Sequence, residues 1–396
     1  MNRGTEGQGS VSGLRRANVE RVLSVLAEGP RAQVELATAT GLSPAAVTSI
    51  IRQLTADGMV QTSPGVRSGR RATIVRLTQV PTGTLVGMSL TRTSFQVALW
   101  DRDGVDIIDT PWAELPGSGS QPERAAGRLS ELLRGRDEVQ AATTCLPGWG
   151  SSRSPERARL VLPAGYPLLD WLPPHATDPL AEACGVPVAV RKDANMAALA
   201  ELRMGAGRGS RNLVYAELSE GVGGALVIGG SVFEGDDAMA GEIGHLEGSE
   251  HGPRCWCGNR GCLELLIGAD ALLQPIRNAM PAGSEVSLDT LLDGARRGED
   301  LPLRIVVEAG RDAGYALVNV VTLLNVTQVV VGGRLAEAGD ILLEPLTESL
   351  RQHLRMLLRS RLTVSRAELG RTGMLLGCLL QCAQDLELNL FPELNN

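Results

Sequence analysis

The sequence predicts an α/β protein of two parts: an N-terminal winged helix-turn-helix and a larger body of strands and helices that carries a structural zinc site. Three observations predict it. A proline-started amphipathic helix at Pro44 follows a shorter helix across a glycine, and two strands with an arginine-rich loop come next. From Leu85 onward, short runs rich in Val and Leu alternate with helical stretches. Between Gly241 and Glu264, GEIGHLEGSEHGPRCWCGNRGCLE, one stretch holds three of the seven cysteines and two of the four histidines.

That last stretch carries metal chemistry. Cys255 and Cys257 are separated by one residue, and Cys262 follows a Gly-rich turn. Gly258 and Gly261 admit the positive-φ backbone that lets three thiolates converge on one point. Three sulfurs and one imidazole make a closed tetrahedral zinc site of the structural kind. His245 or His251 supplies the fourth ligand. Cysteines that merely fill a core need no glycines beside them.

Composition sets the frame. A chain of 396 residues suffices for two or three domains. Hydrophobic content of 43% and charged content of 21% are those of a soluble globular protein. Aromatics are only 3%, so Leu, Val and Ala build the cores. The cysteines form no even, regularly spaced set, and zinc claims three of them, which points to a reducing cytoplasm. No apolar run follows the N-terminal basic residues, and no stretch of about 18 apolar residues suggests a membrane span. Lys192 is the only lysine. From Met1 to Arg76 there are ten arginines and five acids, so this head carries +5 and the rest −12 of the net −7. A basic head on an acidic body suits a nucleic-acid module joined to something that does not bind nucleic acid.

Residues 1–12 are Gly/Ser-rich and read as a disordered tail. The winged-helix domain follows over 13–78. Its first helix is expected from Leu14 to Glu28, with Val19, Val22, Leu23 and Leu26 on one side, stopped by Gly29-Pro30. A second fits Ala32 to Thr40, with Leu36 inward and Gly41 as its left-handed terminator. Ser43-Pro44 starts the third with a hydroxyl cap and a proline at the first helical position, and it runs to about Asp57. Val47, Ile50, Ile51 and Leu54 face the core, while Thr48, Ser49, Arg52 and Gln53 point away. This is the helix that enters a major groove. Strands at Met59 to Thr62 and Ala72 to Leu77 flank a loop, SPGVRSGRR, that puts Arg67, Arg70 and Arg71 at the tip of a wing. The candidate DNA contacts are Ser43, Thr48, Ser49, Arg52 and Gln53 on the helix and Arg67, Arg70 and Arg71 on the wing, with Arg52 the foremost.

Residues 79–84 read as a linker. Leu85 to Leu90, Phe95 to Asp101 and Val105 to Asp109 then read as three antiparallel strands. A helix from about Glu123 to Leu133 and a strand ending near Cys145 follow. Leu146-Pro147-Gly148-Trp149 ends that strand in a turn. Later, Arg311 to Leu324, Ile341 to Leu358 and Gly373 to Leu386 read as helices, and Val326 to Val331 as a buried strand.

GEIGH followed by CWCGNRGCLE resembles the zinc signature of the ROK family, which contains bacterial repressors and sugar kinases. The front of the chain, including Gly69-Arg70, is similar to the winged helix of ROK-type repressors. The resemblance implies a two-lobed actin-like (ribonuclease-H-like) ROK domain over 85–396. Lobe 1 would take about 85–195 plus the C-terminal helix, about 373–390, and lobe 2 about 196–372. It also implies that His245 is the fourth zinc ligand beside Cys255, Cys257 and Cys262, and that Glu242, His245 and Glu264 reach the hydroxyls of a bound sugar.

The resemblance extends to Asp193, which stands where the family's kinases keep their general base, in Lys192-Asp193-Ala194-Asn195 with Ala197, Ala198 and Glu201. The Asn that usually precedes this base as a sugar ligand is Lys192 here, able to pair with Asp193 and lower its basicity. Asp193 could also be no more than a helix cap. Where the kinases have DxGGT, this chain has Ser89-Leu90-Thr91-Arg92-Thr93, with neither carboxylate for metal nor glycine for phosphate. The run from Gly221 to Gly224 reads as a tight hairpin, and Glu220 beside it repels phosphate. Ala164-Gly165-Tyr166-Pro167 lacks the family's Asn near the sugar. Gly332-Gly333-Arg334 after the buried strand resembles the adenosine-side motif and reads as scaffold.

These features imply a non-enzymatic transcriptional regulator, more readily a repressor, of carbohydrate-utilisation genes. Its partners would be an operator in double-stranded DNA, a sugar or sugar-derived effector, and further copies of itself in a homodimer or homotetramer. The alternatives are an ATP-dependent sugar kinase with a fused DNA-binding domain, or a ROK-type regulator whose body has lost sugar binding and senses another partner.

Overall fold

In the computed structural model the described residues are 18–388, without 20, 27–28, 57–59, 68–69, 78–82, 148–171, 174, 237 and 282. The expected tail at 1–12, most of the linker, the Gly148-Trp149 turn and the 164–167 stretch lie outside them. The chain forms two compact units. One holds the residues up to Pro81 together with those from Ala383 on, and the other runs from Thr82 to Cys382.

In the first unit, α1 (residues 21–26) buries Val22 and Leu26. A short strand, β1 (Arg31–Ala32), leads into α2 (Gln33–Thr40), which ends at Gly41 with φ 70°. The turn delivers α3 (Pro44–Ala56) at 114° to α2, inside the range of helix-turn-helix units. Ser43 Oγ accepts from the Ala46 N–H at 3.2 Å, the expected cap. Val47, Ile50, Ile51 and Leu54 are all buried.

The wing is longer than the sequence suggests. β2 (Val60–Arg67) and β3 (Arg70–Leu77) pair antiparallel up to Arg67 opposite Arg70, so most of the expected loop is ladder. Two features allow this. The strand order is β1-β3-β2, so Pro64 lies on an edge strand, where a missing N–H is tolerated. Gly65 faces Ile74 so closely that a Cβ would stand 2.6 Å from Ile74 Cγ1.

The second unit contains the same strand arrangement twice. The first sheet has β4 (Thr84–Leu90), β5 (Ser94–Asp101), β6 (Gly104–Pro111), β7 (Val139–Leu146) and β8 (Val188–Lys192), in order β6-β5-β4-β7-β8. Helices α4 (Gln121–Leu132) and α5 (Asp178–Cys184) share its core. Helix α6 (Asp193–Met204) leaves β8 without a break. The second sheet has β9 (Leu213–Leu218), β10 (Val222–Ile228), β11 (Ser231–Phe233), β12 (Gln328–Gly332) and β13 (Thr363–Arg366), in order β11-β10-β9-β12-β13. Each sheet runs third, second, first, fourth, fifth, with an antiparallel meander continued by parallel strands. This is the two-lobed, actin-like arrangement.

The second lobe is completed by α7 (Glu264–Ile267), α8 (Ala269–Ala279), α9 (Leu288–Arg296), α10 (Asp300–Leu324), α11 (Asp340–His353) and α12 (Met356–Arg359). They pack largely in one core with β9 and β12. The last helix, α13 (Gly373–Asp385), returns to the first sheet. A Cβ on Gly87 of β4 would stand 2.8 Å from the Leu375 carbonyl, and one on Gly377 1.9 Å from the Met196 carbonyl of α6. Backbone-to-backbone packing of this kind requires glycine. The end of α13 crosses into the first unit, where Glu387 pairs with Arg76 at 2.6 Å. The sequence reading put all of 373–390 with the first lobe. Among the described residues no single helix is long and apolar enough to cross a membrane.

Candidate functional site

The recognition helix presents the residue types expected. Ser43, Thr48, Ser49 and Arg52 are exposed and Gln53 is half-buried. Thr48 donates its hydroxyl to the Pro44 carbonyl at 2.9 Å, which fixes its rotamer. Arg71 is exposed on the wing. The backbone of Arg67 and Arg70 lies at the tip of the hairpin.

In the second unit, a one-turn 3-10 helix, Ile243–His245, presents Glu242 and His245. It lies against the β9–β10 hairpin, and glycines make the contact possible. A Cβ on Gly244 would stand 2.1 Å from the Val222 carbonyl, and one on Gly241 2.7 Å from the Gly224 carbonyl. The run from Gly221 to Gly224 is thus a hairpin shaped for this packing.

His245, Cys255, Cys257 and Cys262 come together, with all four ligand atoms within 4.8 Å of one another. Cys257 Sγ to Cys262 Sγ is 3.6 Å, and Cys255 Sγ to His245 Nδ1 is 3.7 Å. A tetrahedral zinc with ordinary bond lengths separates its ligands by about 3.5–3.8 Å, so the residues fit the metal. Gly258 (φ 97°) and Gly261 (φ 63°) turn the knuckle as expected, and a Cβ on Gly261 would collide with the Ser249 carbonyl at 1.7 Å. His251 is exposed and outside the cluster. Burial pushes the Cys255 and Cys262 thiols up, whereas at Cys257 burial is outweighed by hydrogen bonds, first from the Asn259 N–H.

The four candidate ligand residues are held by separate sets of contacts. Lys192 is buried, with its ammonium 2.5 Å from Glu242 Oε1 and 3.2 Å from the Ala240 carbonyl. The expected pairing of Lys192 with Asp193 therefore gives way to pairing with Glu242. Asp193 Oδ1 accepts from the Ala194 N–H at 2.6 Å, a capping bond at the start of α6. Burial pushes Asp193 up to about 6 against the opposing pull of that N–H and of Lys192. His245 stacks edge-on to Trp256 with ring centres 4.9 Å apart, and the Trp256 indole N–H points to Glu264 Oε1 at 3.5 Å. Glu264 Oε2 accepts from the Val222 N–H at 3.2 Å.

Sequence reasoning missed Glu217, which accepts from the Tyr215 hydroxyl at 2.5 Å. Burial pushes it up to about 7, with Asp193, Glu220 and Glu201 adding to the rise. Its only advance signal is an acid inside an otherwise apolar strand, LVYAEL. A carboxylate raised above its usual 4.5 contributes stability fully below that pH and loses it as pH rises through about 7. Glu217→Gln, which still accepts from Tyr215, is therefore expected to be more stable than the parent at pH 8 by on the order of 2 kcal/mol. The gain should vanish near pH 4.5. Urea denaturation at the two pH values checks this, and an equal difference at both would refute it.

At the turn between β4 and β5, Thr91 Oγ1 accepts from the N–H groups of Thr93 (3.2 Å) and Ser94 (3.0 Å). The Thr91 carbonyl accepts from the Trp112 indole at 2.9 Å. Both amides are thus held by a side chain of the same turn.

A winged helix-turn-helix joined to a two-lobed actin-like body defines the class: a DNA-binding protein whose second part has the architecture of a sugar kinase. The chain belongs to the ROK family, which matches residues 166–384, and residues 15–61 match the family described as Winged helix-turn-helix DNA-binding. It is similar to the DNA-binding transcriptional dual regulator NagC of Escherichia coli K12, at 27% identity over 94% of this chain and 97% of that one. It is also similar to a glucokinase of Thermotoga maritima, at 30% identity over 68% of this chain and 88% of that one. A solved structure described as a ROK family transcriptional regulator, homolog of E. coli MLC protein, superposes with a TM-score of 0.63 at 24% identity, covering 93% of this chain and 95% of that one.

Proposed function

We propose that the protein is a transcriptional repressor of carbohydrate-utilisation genes, with operator binding set by a sugar or sugar-derived ligand in the cleft of its body. The observation that carries this reading is the capped helix α3 with Thr48, Ser49 and Arg52 outward, in a chain similar to a regulator along nearly its whole length. On this reading residues 13–78 bind DNA, 79–84 link, and 85–396 sense. Asp193, Glu242, His245 and Glu264 line the ligand site, and a structural zinc on His245, Cys255, Cys257 and Cys262 stiffens the loop that presents two of them. The protein acts in the cytoplasm as a homodimer or homotetramer. Ligand binding shifts a two-state balance in the body by its differential affinity for the two forms.

Phosphoryl transfer is not part of the proposal. Asp193 at the base position and the glucokinase relative favour it. The Thr91-closed turn and the carboxylate of Glu220 oppose a bound phosphate.

The test is a gel shift on the DNA upstream of the protein's own gene, at fixed salt, with a panel of sugars and sugar phosphates. Specific binding released by one compound supports the regulator and identifies its effector. Absence of specific binding to that DNA and to a random-site library rejects it. Arg52→Ala is expected to weaken specific binding about tenfold to a hundredfold with the fold intact. An unchanged affinity would remove Arg52 from the interface.

A further inference from the structure

Lys192 is the only lysine of the chain, and it is 2% exposed. It closes β8 in the first lobe, yet its ammonium reaches the loop of the second lobe, on Glu242 Oε1 at 2.5 Å and the Ala240 carbonyl at 3.2 Å. The ammonium thus joins the two lobes through one ion pair and one hydrogen bond. An ammonium donates and never accepts. At the same position an asparagine amide both donates and accepts, and it leaves the neighbouring carboxylate open to a ligand.

We propose that Lys192 is a specificity-determining residue: its ammonium takes the place on Glu242 that a hydroxyl of a neutral sugar would occupy, and so the cleft discriminates against neutral monosaccharides. The inference rests on the reading of the cleft as the ligand site. A neutral monosaccharide is a ring of hydroxyls, and each hydroxyl proton needs an acceptor. With Lys192 in place, one Glu242 oxygen faces a cation in an ion pair, and the side chain at 192 offers no acceptor of its own. The remaining carboxylates are also engaged. Asp193 holds the Ala194 N–H, and Glu264 holds the Val222 N–H and faces the Trp256 indole. A sugar that entered would either leave hydroxyl protons unmet or displace a buried ammonium from its counter-ion, and both are costly.

The experiment is calorimetric titration of the full-length protein with D-glucose, D-galactose and D-mannose, for the parent, Lys192→Asn and Lys192→Arg. Lys192→Asn is expected to bind at least one of the three at least tenfold more tightly than the parent. Lys192→Arg keeps the cation and is expected to behave as the parent. Zinc content and melting temperature establish that each variant is folded. Parent binding as tight as that of Lys192→Asn overturns the proposal, as does an equal gain in Lys192→Arg or no gain in Lys192→Asn. The gel shift separates this from the regulator reading. If the parent binds its operator and Lys192→Asn gains nothing, only the role of Lys192 falls. If the parent binds no operator, the regulator reading falls, and the titration still decides Lys192.

Discussion

Replacing Cys257 by serine is expected to empty the zinc site and to destabilise the body by on the order of 3–5 kcal/mol, among the largest effects open to a single substitution here. Four ligand atoms within 4.8 Å include three thiols, two of them pushed up by burial. Only a cation would justify bringing their thiolates together, and a metal would ionise all three. The knuckle around them is held by turn hydrogen bonds and two isolated bridges, Glu247 with Cys262 and Arg254 with Arg260, and has no regular helix or strand of its own. Metal analysis of the parent should find about one zinc per chain, as a single closed four-ligand site requires, and the variant should hold close to none. Cys184→Ser, at a buried cysteine outside the cluster, is the control and should keep its metal. Full occupancy in Cys257→Ser would overturn the assignment.

Glu201→Ala is expected to cost about 3 kcal/mol or more, because it strips the acceptor from three backbone amides at once. The Glu201 carboxylate is buried and accepts from the N–H groups of Ala206 (2.7 Å), Glu368 (3.1 Å) and Leu369 (2.8 Å). It therefore fixes the end of α6 to the turn that precedes α13. Gly205 packs so closely that a Cβ would stand 2.0 Å from Glu201 Oε2. Glu201→Gln keeps one acceptor oxygen and should lie between. Urea denaturation of the three proteins decides, and a loss below about 1 kcal/mol, the worth of one ordinary hydrogen bond, would show that the amides find other partners.

What the sequence made legible is what lies close together along it. The three cysteines of the cluster share one loop, so spacing and glycines pointed to them, while the choice of His245 over His251 came from the family resemblance. The caps at Ser43 and Gly41 and the spacing of Val47, Ile50, Ile51 and Leu54 are local signals, and α2 and α3 follow them. The pairs that cross the fold were not legible. Glu201 was visible as part of a resemblance, but two of its three partners lie 167 and 168 positions away. Lys192 reads as a neighbour of Asp193, yet β8 ends so that the ammonium passes Asp193 and meets Glu242. The role of Thr91 depends on a hydroxyl turning back on its own turn. The wing strands were read short because Pro and Gly signal a loop unless the strand is known to be an edge.

The burial of Lys192 also limits how this protein can be controlled. Every other fixed positive side chain is an arginine, so the folded surface carries no ε-amine. Enzymes that acetylate or ubiquitinate lysine side chains find no target there, and the basic charge of the wing and recognition helix is out of their reach. Lysine chemistry therefore cannot erase the charge of this head, and any control of that charge has to use its arginines or its exposed hydroxyls at Ser43, Thr48 and Ser49.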